Sequence, residues 1–269
     1  MSAVRQGWFA GLLWASLTIA LTFLTLPIVS IFVDTSPLEL VSSLGEEGAL
    51  EALRLSLLCS AVAIVIILVV GTPAAYLLAT RRFRGRAAIV TLVELPLVLP
   101  PAVAGIGLLA ALGPNGVLGG LVSDAGIELV LTTAGVILAL TFVAAPFYLR
   151  QAQAGFEAVD RTWLDASRTL GASEARTFLR VAIPAAGPGL IAGLALAWGR
   201  ALGEFGATLM FAGSFRGITQ TVPLAIYERF STDFTSALAL SAVLVAVSAA
   251  LLLSVKLLSG SEWLGGAAR

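Results

Sequence analysis

Apolar residues fill six long stretches of this chain, and shorter polar segments separate them. Each stretch provides the roughly 20 apolar residues that a helix needs to cross the hydrocarbon core of a bilayer. The predicted spans are residues 8–33, 52–80, 88–112, 129–149, 185–211 and 235–258. The first is too long for the apolar part of a signal peptide and lacks a convincing cleavage site, so we expect it to be retained. The pattern predicts one all-α, polytopic membrane domain over residues 1–269, with six transmembrane helices.

The composition is typical of a membrane protein and excludes several classes of function. Hydrophobic residues make up 58% of the 269 residues, charged residues only 12%, and the mean hydropathy is +0.99, whereas ordinary soluble domains are far more polar. The formal net charge is zero, so the chain has no basic footprint for a nucleic acid. It contains no histidine and a single cysteine, Cys59, which excludes disulfide frameworks, thiolate clusters and histidine-ligated metal sites.

The longest polar interruption is the segment 160–184, DRTWLDASRTLGASEARTFLRVAIP. Its pattern predicts two short helices joined by a tight bend. Asp160 and Ser173 are suited to cap the two helices, because their side-chain oxygens accept hydrogen bonds from free backbone N–H groups. Gly171 lies where a left-handed residue ends the first helix, and Pro184 is expected to end the second helix or to bend it into the next span.

The first of these short helices carries an apolar stripe. Trp163, Ala166, Ser167 and Leu170 recur at the i, i+3, i+4, i+7 spacing that places residues on one face of a helix. An exposed helix of this kind, with basic flanks and membrane spans on both sides, is suited to docking on another molecule. The alternative is an amphipathic helix that lies on the membrane surface.

The same segment resembles the cytoplasmic loop of importer permeases of the ATP-binding-cassette (ABC) superfamily, which follows the pattern E-A-A, three residues, G, nine residues, I-x-L-P. Residues 165–167 (DAS) stand for E-A-A, Gly171 follows after three residues, and residues 181–184 (VAIP) follow after nine more. Four positions differ conservatively, and the spacing is intact. In that family the loop forms the coupling helix, which sits in a groove of the ATPase subunit. The resemblance assigns this contact to Trp163, Leu164, Asp165, Ala166, Ser167, Leu170, Gly171 and Pro184.

Away from their ends, the predicted spans contain three charged residues, Glu94, Arg200 and Glu204. Charges at such depth are expensive and usually face a cavity or a partner. Arg200 and Glu204 are four residues apart, so they share a helix face and can pair. This pair is either a structural ion pair that supports helix packing or part of a translocation path in which Arg200 meets an anion. Glu94 follows Arg86 by only eight residues and is interpreted as lying near the membrane–water boundary.

Two further stretches sharpen the resemblance. Residues 95–101 (LPLVLPP) contain three prolines and predict a broken span, and residues 199–213 (GRALGEFGATLMFAG) are rich in small residues that allow close helix approach. Both resemble the molybdate permeases among the type I ABC importers, and the resemblance covers nearly the whole chain. It implies the MetI-like permease fold, with a core of five transmembrane helices over residues 52–258. The candidate residues of the translocation pathway are Arg200, Glu204, Pro100 and Pro101.

The resemblance also implies partners. Two copies of the chain would form the pathway in the lipid bilayer, two ATPase subunits would dock on the 160–184 loops, and an extracytoplasmic binding protein would deliver a tetrahedral oxyanion. The ATPase subunits would bind ATP and Mg²⁺. The chain itself has no G-x-x-x-x-G-K-[ST] phosphate loop, so we expect it to be a transport subunit without a cofactor rather than an enzyme.

Lysine and arginine gather on one side of the predicted membrane, and the positive-inside rule makes that side cytoplasmic. Twelve lie there: Arg5, Arg81, Arg82, Arg84, Arg86, Arg150, Arg161, Arg168, Arg176, Arg180, Lys256 and Arg269. Three lie on the opposite side: Arg54, Arg216 and Arg229. We therefore expect a multi-pass protein of the cytoplasmic (inner) membrane, with both termini and the 160–184 loop in the cytoplasm.

Several alternatives remain open on the sequence. A tungstate permease is chemically too close to a molybdate permease to be separated, and a sulfate or thiosulfate permease carries similar stretches. A membrane-embedded enzyme lacks support, because the spans hold no clustered carboxylates and no serine or cysteine with a visible base. An ATP-independent secondary carrier predicts inverted repeats with matching broken helices, and no such repeat is apparent.

Overall fold

A computed structural model describes residues 2–33, 45 and 48–258, and this part of the chain is helical and contains no strand. Numbered in chain order, the helices are α1 Ser2–Val33, α2 Ala49–Thr80, α3 Arg86–Val98, α4 Pro101–Leu112, α5 Gly119–Asp124, α6 Thr133–Glu157, α7 Arg161–Thr169, α8 Glu174–Ala185, α9 Gly187–Leu202, α10 Gly206–Ala212, α11 Val222–Phe230 and α12 Phe234–Leu258.

Four helices, α1, α2, α6 and α12, are long and apolar enough to cross a membrane without interruption. Two further spans are bent pairs: α3 and α4 meet at 118°, and α8 and α9 meet at 74°. Counting each bent pair as one span gives the six that the hydrophobic pattern predicts. The bend between α3 and α4 lies at Leu99 and Pro100, so the prediction of a broken span from the prolines is confirmed.

Two predicted spans have different boundaries in the structure. The fourth, placed at 129–149, is α6, which begins later because the Thr132 hydroxyl accepts a hydrogen bond from the amide of Gly135 at 3.2 Å and caps the helix there. It also continues eight residues further, since polar side chains beyond the apolar run find partners on other helices. The fifth, placed at 185–211 as one helix, is interrupted after Leu202 and resumes at Gly206.

Helix α6 is the centre of the bundle, with α2 and α9 packed against it. Helices α6 and α9 touch through their backbones, because a Cβ added at Gly189 would lie only 2.6 Å from the Cα atom of Gly155. The hydroxyl groups of Tyr148 and Thr72 join α6 to α2 at 2.7 Å. By contrast, α1 packs on α12 and buries no residue between Trp8 and Val33.

Candidate functional site

The 160–184 loop has the two-helix form that its sequence predicts, and local hydrogen bonds explain why. Oδ1 of Asp160 accepts from the amide of Thr162 at 2.9 Å and begins α7, and this bond holds the pKa of the Asp160 carboxyl below its usual value. Oγ of Ser173 accepts from the amide of Arg176 at 3.3 Å and begins α8. Between them Gly171 has φ +83°, a left-handed conformation that strains residues carrying a Cβ.

One face of α7 is turned toward the bundle. Leu164 is buried in the same apolar cluster as Phe156 and Val159 at the end of α6. Oγ of Ser167 lies 3.0 Å from Oγ1 of the fully buried Thr177 on α8. Leu164 and Ser167, both predicted as contacts for the ATPase, thus also hold α7 against its neighbours; Leu164 is buried and Ser167 is half-buried.

The adjacent face of α7 is exposed. Trp163 is 57% exposed and Leu170 is 88% exposed, and Ala166 between them is also exposed. Large apolar side chains this far out of the core are characteristic of a surface that binds another molecule. Three of the four residues of the predicted apolar stripe are thus exposed, and the fourth, Ser167, contacts Thr177.

An arginine fastens the two short helices together. Nε of Arg168 donates to Oε1 of Glu174 at 2.9 Å, and its Nη1 donates to Oδ1 of Asp165 at 2.9 Å. The hydrogen bonds with Glu174 raise the pKa of the Arg168 guanidinium, so it stays charged. Asp165, predicted as a contact for the ATPase, is exposed but already paired within the loop.

The loop passes into the membrane through a π-helical turn at Phe178–Ala182 within α8. There Phe178 packs on Tyr76 of α2, with ring centroids 4.8 Å apart, and Tyr76 packs on Phe156 of α6 at 5.3 Å. Pro184 is exposed and lies in the last turn of α8, just before the 74° bend into α9, as its predicted role as a kink requires. Through α8 the loop is therefore in contact with α2 and continuous with α9, and Tyr76 extends the contact to α6.

The second candidate site lies where the two helix breaks meet. A Cβ added at Gly206 would lie 2.9 Å from the Cβ of Pro101, and one added at Gly105 would lie 2.6 Å from the carbonyl oxygen of Ala207. The start of α4 thus packs directly on α10. Irregular backbone at membrane depth is tolerated where it is buried in protein or lines a cavity. Of the candidate pathway residues, Pro101 lies at this helix-break site, Pro100 precedes it, and Glu204 precedes Gly206 by two residues.

Glu204 has two contacts at this break. Its side chain is 0% exposed; Oε1 accepts from the amide of Ala207 at 2.7 Å and caps α10. Oε2 lies 2.5 Å from Nη2 of Arg200, a charge contact rather than a well-aligned hydrogen bond. The Arg200 side chain is 26% exposed and lines a mainly apolar cavity of about 640 Å³ between α9 and α12. The predicted pair is therefore formed, and one side of Arg200 remains open to the cavity.

Some features of these sites are not visible in the sequence. Ser167 contacts Thr177, and Tyr76 contacts Phe178. Both contacts depend on how the helices fold back on one another. Glu94 pairs with Arg150 at 2.7 Å, with side chains 37% and 49% exposed, in agreement with its predicted place near the membrane boundary. Among the described residues, no group of three or more histidine, cysteine, aspartate or glutamate residues could hold a metal ion.

Comparison with known proteins agrees with this geometry. The family model described as "Binding-protein-dependent transport system inner membrane component" matches residues 68–261. A probable transport system permease protein, NifC of Clostridium pasteurianum, is 37% identical over 249 residues, covering 92% of this chain and 87% of that protein. The molybdenum transport system permease protein ModB of Mycobacterium tuberculosis is 38% identical over 235 residues, covering 87% and 89%.

The fold also has a solved counterpart. The crystal structure of a bacterial ABC transporter involved in the import of the acidic polysaccharide alginate contains a chain with a TM-score of 0.74 and 18% identity, and 95% of this chain and 96% of that chain are covered. The expected ABC importer permease fold is therefore confirmed. Since the family model covers well over half of the residues, the chain belongs to the family of binding-protein-dependent transport system inner membrane components and is a transport permease rather than an enzyme.

Proposed function

We propose that this chain is the permease subunit of an ATP-driven importer that carries molybdate across the inner membrane. The observation that supports the substrate most strongly is the 38% identity to a molybdenum permease over 87% of the chain. Arg200 is held by Glu204 on one side and faces a cavity beside the α9–α10 break on the other, so its guanidinium group is suited to attract a passing oxyanion.

The proposed partners follow from what the chain lacks and what it exposes. It has no phosphate loop, so ATP and Mg²⁺ are assigned to a separate cytoplasmic ATPase. The exposed Trp163, Ala166 and Leu170 of α7 offer the apolar surface on which that ATPase would dock. A second copy of this chain would complete the pathway, and an extracytoplasmic binding protein would supply the oxyanion.

The contacts within the loop suggest how docking is transmitted. A pull on α7 reaches α8 through the Ser167–Thr177 contact and the Arg168–Glu174 pair. From α8 it passes the bend into α9, whose far end carries Arg200 at the helix-break site. ATP binding and hydrolysis would then bias the pathway between outward-open and inward-open states. Gly171 permits the turn that holds α7 and α8 together, and Pro184 shapes the bend.

The proposal includes an orientation and a functional core. With the 160–184 loop in the cytoplasm, both termini are assigned to that side; residue 1 and residues 259–269 lie outside the described residues. We assign translocation to the helices between residues 52 and 258, because α1 buries none of its apolar span. Pro100 and Pro101 would form the part of the pathway opposite Arg200 and Glu204.

The experiment is uptake of radiolabelled molybdate by cells that lack their own molybdate permease and express this chain with its ATPase and binding protein. Unlabelled tungstate or sulfate is added in large excess as a competitor. We expect tungstate to suppress uptake and sulfate to leave it nearly unchanged. Suppression by sulfate as complete as that by tungstate would contradict molybdate as the substrate and favour a sulfate permease.

A further inference from the structure

A polar pocket opens at the end of the bundle that carries the 160–184 loop. It has a volume of about 350 Å³ and lies between the loop after α2, the end of α6 and the first turns of α7. Its lining contains both apolar and charged side chains. The lining residues are Ala79, Thr80, Arg81, Arg82, Arg86, Phe156, Glu157, Val159, Arg161, Leu164, Asp165 and Arg168. Three separate segments of the chain therefore converge on one basic pocket.

The charges in this pocket do not balance. Five arginines and two acids line it. Glu157 forms an ion pair with Arg86 at 2.7 Å, and Asp165 forms one with Arg168 at 2.9 Å. Arg82 and Arg161 are exposed, and neither makes a hydrogen bond or an ion pair with any residue that the structure describes. Two guanidinium groups thus remain available to an anion that enters the pocket.

The pocket also lies at the end of an apolar surface. Along α2 an exposed line of apolar residues runs toward it, and Arg81 continues that line by one helical turn. Its members are Ile66, Val69, Val70, Pro73 and Leu77, at helical spacing. A basic pocket at the end of an apolar helix face matches the two parts of a phospholipid, a charged headgroup and acyl chains.

We propose that this pocket binds the phosphate-bearing headgroup of an anionic phospholipid, with its acyl chains along α2. Arginine suits this ligand because its planar fork of donors pairs with two phosphate oxygens. The ATPase is a less suitable occupant, since Leu164 and Arg168 of α7 line the pocket, whereas the exposed Trp163 and Leu170 do not. The headgroup would join residues 81–86 to α7 and so steady the docking helix.

The inference needs only that this end of the bundle lies at a membrane surface, and it does not depend on the transported substrate. The test uses the full-length permease purified in detergent, with dioctanoyl-phosphatidylglycerol and dioctanoyl-phosphatidylcholine as probes of equal chain length. Native mass spectrometry counts the retained lipids. We expect the wild type to retain phosphatidylglycerol in preference to phosphatidylcholine.

The variants locate the binding. The pair Arg82→Gln with Arg161→Gln is expected to weaken retention of phosphatidylglycerol by about 25-fold, since one interfacial arginine contributes roughly fivefold. The pair Arg82→Lys with Arg161→Lys keeps the charges and should retain most of it. Arg84→Gln is the matched control, because Arg84 is exposed in the same loop but does not line the pocket; its retention should equal that of the wild type.

Three results would overturn the proposal. Equal retention of the two lipids by the wild type would exclude recognition of the anionic headgroup. Complete displacement of phosphatidylglycerol by inorganic phosphate at the same concentration would identify a site for a free oxyanion instead. Unchanged lipid retention in the glutamine pair, together with weaker recovery of the ATPase from the assembled complex, would assign the two arginines to the protein partner.

Discussion

Replacing Glu204 by alanine should destabilise the helix-break site strongly, because one side chain serves two neighbours there. Its loss leaves the amide of Ala207 without an acceptor in a buried position, which costs about 2 kcal/mol. It also removes the charge partner of Arg200. Removing one member of a fully buried pair costs about 3–5 kcal/mol, and since Arg200 is 26% exposed we discount this to about 1 kcal/mol. The expected loss in the free energy of unfolding is about 3 kcal/mol.

Glutamine at the same position separates the two contributions. Glu204→Gln keeps an oxygen that can accept from the amide of Ala207 and removes only the charge, so we expect a loss of about 1 kcal/mol. Glu94→Gln is the control, because it also removes a carboxylate paired with an arginine at 2.7 Å, but both side chains are more than one-third exposed. Exposed pairs contribute little, so the control should lose less than about 1 kcal/mol.

The assay is titration of the purified permease from mild detergent into a denaturing one, with helix content followed by circular dichroism. Wild type, Glu204→Ala, Glu204→Gln and Glu94→Gln are compared at one ionic strength. If Glu204→Gln loses as much free energy of unfolding as Glu204→Ala, the cap on α10 contributes nothing and the reasoning fails. If Glu204→Gln loses no more than Glu94→Gln, the contact with Arg200 is as weak as a surface pair.

Other predictions concern the loop. Gly171→Ala should weaken recovery of the ATPase in a pull-down, because a left-handed alanine costs about 1–2 kcal/mol; Gly187→Ala adds the same methyl group in open space without a positive φ, and unchanged recovery is expected. Leu170→Asp should abolish molybdate uptake while the permease still inserts, and normal uptake would remove Leu170 from the docking surface. The pKa of Asp160 is lowered in the folded loop, so its cap stabilises α7 above the unfolded pKa and is lost as the pH falls through the folded pKa. Protease cleavage of the loop should therefore increase in acid, and Asp160→Asn should abolish that dependence.

Features governed by neighbouring residues were predictable from the sequence. The caps at Asp160 and Ser173, the turn at Gly171 and the break beside Pro100 each depend on one residue and its own backbone, so a single sequence is enough to identify them. The identity of the docking face was predictable in part, because helical spacing defines a stripe but not which edge of it faces a neighbouring helix. Ser167 lies at that edge and turns to Thr177.

Features governed by distant contacts were not predictable in this way. The break after Leu202 contains no proline. It is accompanied by a cap on α10, in which Oε1 of Glu204 accepts a hydrogen bond from the amide of Ala207. Helix α6 continues beyond its apolar residues because its polar end has partners on α3. Arg150 pairs with Glu94, and Glu157 pairs with Arg86. The π-helical turn at Phe178–Ala182 accompanies the packing of Phe178 on Tyr76, which brings residues about one hundred positions apart into contact.

The backbone contact between Gly155 of α6 and Gly189 of α9 is a pivot point between these two helices. Gly189 follows the bend between α8 and α9 by only a few residues, so it is an early fixed point for any force that arrives from α7. Glycines let the two backbones approach closely here, and no side chain of Gly155 or Gly189 interlocks with the facing helix. The two sides of this pivot are of similar length: α8 (Glu174–Ala185) precedes it, and Arg200 lies about three turns beyond it on α9. A displacement that arrives through α8 would therefore reach the helix-break site at about its own size.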